Sequence, residues 1–138
     1  MEIIDMNKNE KFKYDPEFDI FYIMINNHLW SIEVVPQKEL KRIYEETYGE
    51  EATWCYGLTL YTRENIYISE EMTRDTQLKT LRHELTHCMI WENGLFNVPN
   101  FTEEMVCDMF ASYSEEIEEI IKAFEERKPY KIIIDGKE

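Results

Sequence analysis

Two hydrophobic periods succeed one another along the chain. Residues 20–25 and 29–35 are rich in β-branched and aromatic side chains, and Asn26-Asn27 between them suits a tight hairpin turn. Pro36 ends the second run. Residues 37–48 change to a spacing of three and four, which predicts a helix with Leu40, Ile43 and Tyr44 on one face and Gly49 as its stop. A second strand pair is expected over 53–61 and 66–69, joined by Thr62-Arg63-Glu64-Asn65. From about Thr73 to Glu92 the pattern is helical again, with Leu78, Leu81, Leu85 and Met89 as the apolar stripe and Asn93-Gly94 as a strong terminator.

After a loop over 95–99, Asn100 is an expected N-cap with Glu103 at the capping-box position. The long helix that follows should run to about Arg127, with Met105, Met109, Phe110, Tyr113, Ile117, Ile120 and Phe124 as its stripe. That stripe is core or partner surface. Pro129 should break the helix, leaving residues 130–134 as a last strand. Residues 1–17 are polar and read as a loose lead-in. Strands first and helices later predict an α+β fold. There are no internal repeats, and 138 residues fit one domain spanning 1–138 around one core.

Composition narrows the classes of function. A net charge of −14 argues against direct binding of a phosphate backbone and favours attraction to a basic partner, although the acidic stretch 114–126 also suits a solvated helix face. Cys55, Cys88 and Cys107 lack zinc-knuckle spacing, and each is expected as a reduced core residue. The N-terminus carries no charged-then-apolar signal pattern, and no apolar run approaches membrane length. The expected setting is cytoplasmic, with no membrane and no nucleic-acid partner.

Chemistry is concentrated in Thr80-Leu81-Arg82-His83-Glu84-Leu85-Thr86-His87. His83 and His87 stand four residues apart on the expected helix, so their imidazoles lie one turn above each other and can grip one zinc ion. Glu84 lies beside them and can take a proton from a water molecule at the metal without filling the open position. A catalytic zinc wants a third protein ligand. His28 is far upstream, and a His-Glu-x-x-His-x-x-Gly-x-x-His pattern would need its Gly and His where Ile90 and Asn93 stand. A carboxylate is therefore expected. Glu104 and Asp108 are four apart on the long helix, so Glu104 can bind metal while Asp108 accepts a hydrogen bond from a ligating imidazole. Glu103 competes for the ligand role. All three acids also suit the positive end of a helix dipole without any metal.

His83-Glu84-Leu85-Thr86-His87 followed by Glu104-x-x-x-Asp108-x-Phe110-Ala111 resembles the gluzincin metallopeptidases, and within them the compact ImmA/IrrE-like group of phages and mobile elements. Tyr56-Gly57-Leu58-Thr59 and Ile66-Tyr67-Ile68 also resemble that group's hairpin before the active helix. The resemblance covers about residues 29–113. Cys107 stands where alanine is usual, the interval to Glu104 is short, and no helix-turn-helix or sensor domain is attached. The resemblance implies a mini-gluzincin fold, zinc on His83, His87 and Glu104, Glu84 as general base, Asp108 orienting His83, and cleavage of a specific regulatory protein. The strand over 53–61 or that over 66–69 is expected to present an edge to an extended substrate. Tyr56, Tyr113 and His28 are candidates for stabilising the oxyanion. The rival reading is a non-catalytic zinc-containing module that works by contacting a partner protein. A DNA-associated protease with three histidine ligands is a third reading, disfavoured by the acidic charge.

Overall fold

The structure, a computed structural model, describes residues 10–51, 55–95 and 102–127 in full and the backbone of 128–134. Five strands form one mixed sheet: β1 (Phe12–Asp15), β2 (Ile20–Ile25), β3 (His28–Val35), β4 (Gly57–Leu60) and β5 (Asn65–Ser69), in the order β1-β2-β3-β5-β4. The first three form an antiparallel meander. Asn26 and Asn27 take φ angles of 50° and 66°, the positive pair that lets the β2–β3 turn match the strand twist. β5 then inserts between β3 and β4, parallel to β3 and antiparallel to β4. The sheet thus has β1 and β4 at its edges and β5 in its interior.

Helix α1 (Gln37–Tyr48) covers one face of the β4–β5 end, where Leu40 and Ile43 meet Leu58 and Leu60. It stops at Gly49, whose φ of 69° lets its N–H reach the Glu45 carbonyl at 2.8 Å. Helices α2 (Arg74–Glu92) and α3 (Glu103–Ile134) cover the other face. Phe21, Ile23, Ile25, Trp30, Ile32, Ile66 and Ile68 point at them from the sheet, and Leu81, Leu85, Cys88, Met89, Ile117, Ile120, Ile121 and Phe124 point back. Full burial of each such side chain contributes roughly 1.5–3 kcal/mol, so this face dominates the stability of the domain. Arg82 binds Glu118 through two hydrogen bonds of 2.7 and 3.0 Å, and Arg74 binds Glu125 at 2.7 Å, fastening α2 to the second half of α3.

The α+β class, the three helices and both strand pairs agree with the sequence pattern. Several boundaries do not. The lead-in expected over 1–17 holds β1, which zips onto β2 from Phe12↔Ile23 to Asp15↔Ile20; residues 1–9 lie outside the described residues. β4 begins at Gly57, and residues 52–54 lie outside the described residues. Thr73 caps α2 by accepting the Thr76 N–H at 3.3 Å. The expected cap Asn100 lies outside the described residues, while Thr102 Oγ1 accepts the Met105 N–H at 3.2 Å. Pro129 does not break α3, and 130–134 is helix rather than strand. The fixed φ of proline, about −65°, is itself helical, so the chain passes through Pro129 with the loss of the one hydrogen bond its missing N–H would make. Cys107 is exposed, against the expectation of three core cysteines, because it lies on the open first half of α3; Cys88 is buried and Cys55 half-buried. Among the described residues no helix is long and apolar enough to cross a membrane.

Candidate metal centre and cleft

The α2 stripe Leu81, Leu85, Cys88 and Met89 sinks into the core and fixes the rotation of the helix. That rotation turns Glu84 onto β4 and leaves His83 and His87 outside. The helix can sit this close because Gly57 has no side chain. A Cβ there would lie 2.7 Å from Thr80 Cγ2 and 2.9 Å from both Cγ and Oε2 of Glu84. Two residues along β4, on the same face, Thr59 donates its hydroxyl proton to Glu84 Oε1 at 2.7 Å. The Glu84 carbonyl lies 3.3 Å from the same hydroxyl. Glu84 is buried, yet its carboxylate is satisfied on one oxygen and leaves Oε2 on the side of His83, 4.0 Å from Nε2.

The two imidazoles stand together as the spacing requires, with ring centroids 4.9 Å apart and planes at 74°. His83 is exposed and His87 half-buried. Beside them opens a hollow of about 440 Å³ lined by Cys55, Tyr56, Gly57, Thr80, His83 and Glu84, among others. Gly57, the first residue of the edge strand β4, lines this cleft. The strand over 66–69, offered as an alternative edge, is interior instead, because β5 is paired on both sides. Cys55 lines the cleft, but burial first and then the charge of Glu84 push its thiol pKa up, which disfavours the thiolate a nucleophile needs.

The acids of α3 are positioned differently. Glu103, Glu104 and Asp108 all lie exposed on its first turns. Among the described residues one group of three metal-ligating side chains has donor atoms within 4.8 Å of one another, and it is His28, Glu64 and Glu92. Glu104 and Glu103 therefore do not join His83 and His87 at that spacing. Asp108 lines a separate hollow of about 200 Å³ with Met105, Met109 and Tyr113. Of the three oxyanion candidates, Tyr56 lines the cleft with Glu84. Tyr113 belongs to the α2–α3 groove, and His28 sits 2.9 Å from Glu92, eight residues past Glu84 on α2.

The imidazole pair with an adjacent buried carboxylate fits the donor chemistry of zinc. The third donor is the part that the described geometry leaves apart. Sequence reasoning missed Thr59 and the steric role of Gly57. Both stand in a run that reads as ordinary strand, and only the packing of α2 onto β4 singles them out. Comparison with protein-family models, curated proteins and solved structures returned no match to this chain.

Proposed function

We propose that this chain is a zinc-dependent metallo-endopeptidase of the gluzincin type, similar to the ImmA/IrrE-like group, which cuts a peptide bond in a specific intracellular regulatory protein. The observation that supports it best is the Glu84 carboxylate, held by Thr59 at the floor of a cleft with its second oxygen beside the His83–His87 pair. His83 and His87 would hold the zinc, with Glu104 as third ligand. A bound zinc ion supplies Lewis-acid polarisation of the water and of the peptide carbonyl. Glu84 Oε2 takes the water's proton and later passes it to the leaving amine. Thr59 keeps Oε1 occupied, so one oxygen orients the side chain and the other moves the proton. By the same resemblance Asp108 would orient His83 once the first half of α3 closes on the imidazole pair. An extended substrate pairs along the free edge of β4, and the −14 charge draws in a basic partner.

One observation favours a second reading. The exposed Glu104 stands apart from the imidazole pair, which leaves the pair short of a catalytic ligand set and suits a protein-binding module with a vestigial zinc site. Glu84→Gln separates the two. It keeps the shape and removes the base, so the peptidase loses cleavage while retaining zinc and fold. Zinc-loaded protein is incubated with candidate basic repressors and with an unfolded casein-like protein. Selective cleavage by the parent and none by Glu84→Gln supports the peptidase. Undiminished biological effect in Glu84→Gln, with no substrate cut, supports the module. Glu104→Ala should abolish zinc at the imidazole pair, whereas Asp108→Ala should weaken affinity or activity by about 10–100-fold. A severe defect in Glu103→Ala with a silent Glu104→Ala would transfer the ligand role to Glu103.

A further inference from the structure

The C-terminal end of α2 gathers a second set of donor groups. Glu92 is the last residue of α2, His28 opens β3, and Glu64 sits at a φ of 57° in the turn between β4 and β5. His28 Nδ1 lies 2.9 Å from Glu92 Oε2 and 3.3 Å from Glu64 Oε2, and all three donor atoms lie within 4.8 Å of one another. Nitrogen and oxygen donors at about 2.0–2.1 Å from a tetrahedral zinc are themselves about 3.3 Å apart, so an ion would need little rearrangement. The donors come from three separate elements, unlike an acidic run on one helix face.

The charges around these groups point the same way. The Glu92 side chain is 2% exposed and stands at the negative end of the α2 dipole, where the last turn carries no basic residue. Among the described residues both carboxylates pair with His28. A protonated His28 would still leave one net negative charge beside that pole. A divalent cation would remove it. Trp30 Nε1–H donates to Glu92 Oε2 at 2.8 Å, and Asn26 Nδ2 approaches the Glu92 carbonyl at 3.4 Å. The Trp30 bond orients the carboxylate oxygen that faces His28, as hydrogen bonds to metal ligands do, and the Asn26 contact ties the end of α2 to the β2–β3 turn. The His28 side chain is 57% exposed, so an ion and a completing water can enter from solvent.

We propose that His28, Glu64 and Glu92 form a zinc site independent of His83 and His87. One imidazole and two carboxylates are a donor set that zinc accepts. Its role is structural: it fastens the end of α2 to the β2–β3 and β4–β5 turns. The site does not depend on the peptidase reading.

The test uses the full chain with Zn²⁺ as probe. Bound zinc per chain is measured by elemental analysis after equilibrium dialysis, and affinity by titration followed through tryptophan fluorescence, to which Trp30 contributes. The parent should bind two zinc ions and a His83→Ala/His87→Ala variant one. Adding His28→Ala to that variant should remove the remaining ion, and adding the partly exposed Glu64→Gln should weaken it at least about tenfold. Zinc should raise the melting temperature of the double variant, and this gain should vanish with His28→Ala. Circular dichroism confirms that each variant is folded. A double variant that binds no zinc overturns the proposal, and so does zinc binding indifferent to His28→Ala and Glu64→Gln. If zinc survives His83→Ala/His87→Ala undiminished and falls with His28→Ala, the new site stands and the metal of the proposed peptidase centre does not.

Discussion

The two halves of α3 carry one continuous apolar stripe into two different environments. In the second half Ile117, Ile120, Ile121 and Phe124 are buried against the sheet and α2, and Arg82 and Arg74 clasp the acids between them. In the first half Val106 is 55% and Phe110 74% exposed, along an apolar groove of about 460 Å³ shared with Thr86, Met89 and Ile90 of α2. The lesson is that periodicity identifies a face and says nothing of whether a partner surface reaches it. It also separates the candidate centre into unequal parts. His83 and His87 stand on a helix anchored through its opposite side, with Glu84 seated on β4, whereas Glu104 and Asp108 are exposed on the first half of α3.

The contrast breaks most directly at its two phenylalanines. Phe124→Ala should cost about 3–5 kcal/mol in urea unfolding, the range for a buried aromatic, while Phe110→Ala should stay within about 0.5 kcal/mol. Equal losses would mean that the two halves are packed alike. Next comes the seat of the anchored part. Gly57→Ala pushes a methyl into Thr80 and Glu84 and should destabilise by about 1–3 kcal/mol, as overpacking does. A neutral result would mean that α2 does not rest on β4. Thr59→Val removes the donor to the buried Glu84 carboxylate and should cost about 1–3 kcal/mol, with Thr59→Ser recovering most of it. A cycle with Glu84→Ala, which removes the acceptor, should show the two side chains coupled, and strict additivity would deny the bond a role.

The smallest effect lies where the halves meet. Arg82 holds the Glu118 carboxyl below its ordinary value of 4.5, chiefly by hydrogen bonding. A lowered carboxyl contributes stability above its unfolded value and loses it as pH falls through the folded one. Both side chains are about half exposed, so Glu118→Gln should cost no more than about 1 kcal/mol at neutral pH. The difference from the parent should shrink below pH 4 in pH-dependent unfolding. A difference that grows on acidification would reverse the sign of this pair.

What the sequence discloses follows what is local. Asn26-Asn27 encodes its turn through two positive φ angles, Gly49 its helix stop, and the stripe of α2 the side that carries His83 and His87 outward. β1 escapes notice because Phe-Lys-Tyr-Asp alternates over only four residues in a polar stretch, and it becomes a strand by borrowing the free edge of β2. The insertion of β5 between β3 and β4 is equally illegible, since nothing in a strand's own residues names a parallel partner. Pro129 shows the opposite limit: a strong local breaker through which the helix nevertheless runs. Within the candidate site the pattern identified the imidazole pair and the acid between them. It could not reveal Thr59 or Gly57, whose roles exist only once α2 lies on β4.

The parallel pairing of β3 with β5 has a kinetic corollary. The β2–β3 ribbon joins neighbours across two residues and can close on the microsecond scale. Ser31↔Asn65, by contrast, must bring together positions 34 residues apart, after α1 has carried the chain across, and such loop closures are slow. β4 is held in the sheet by β5, so Thr59 reaches Glu84 only when this late step is complete. A chain built this way orients the Glu84 carboxylate only after a non-local pairing, and partly folded copies lacking it would carry both histidines without the Thr59 bond to Glu84.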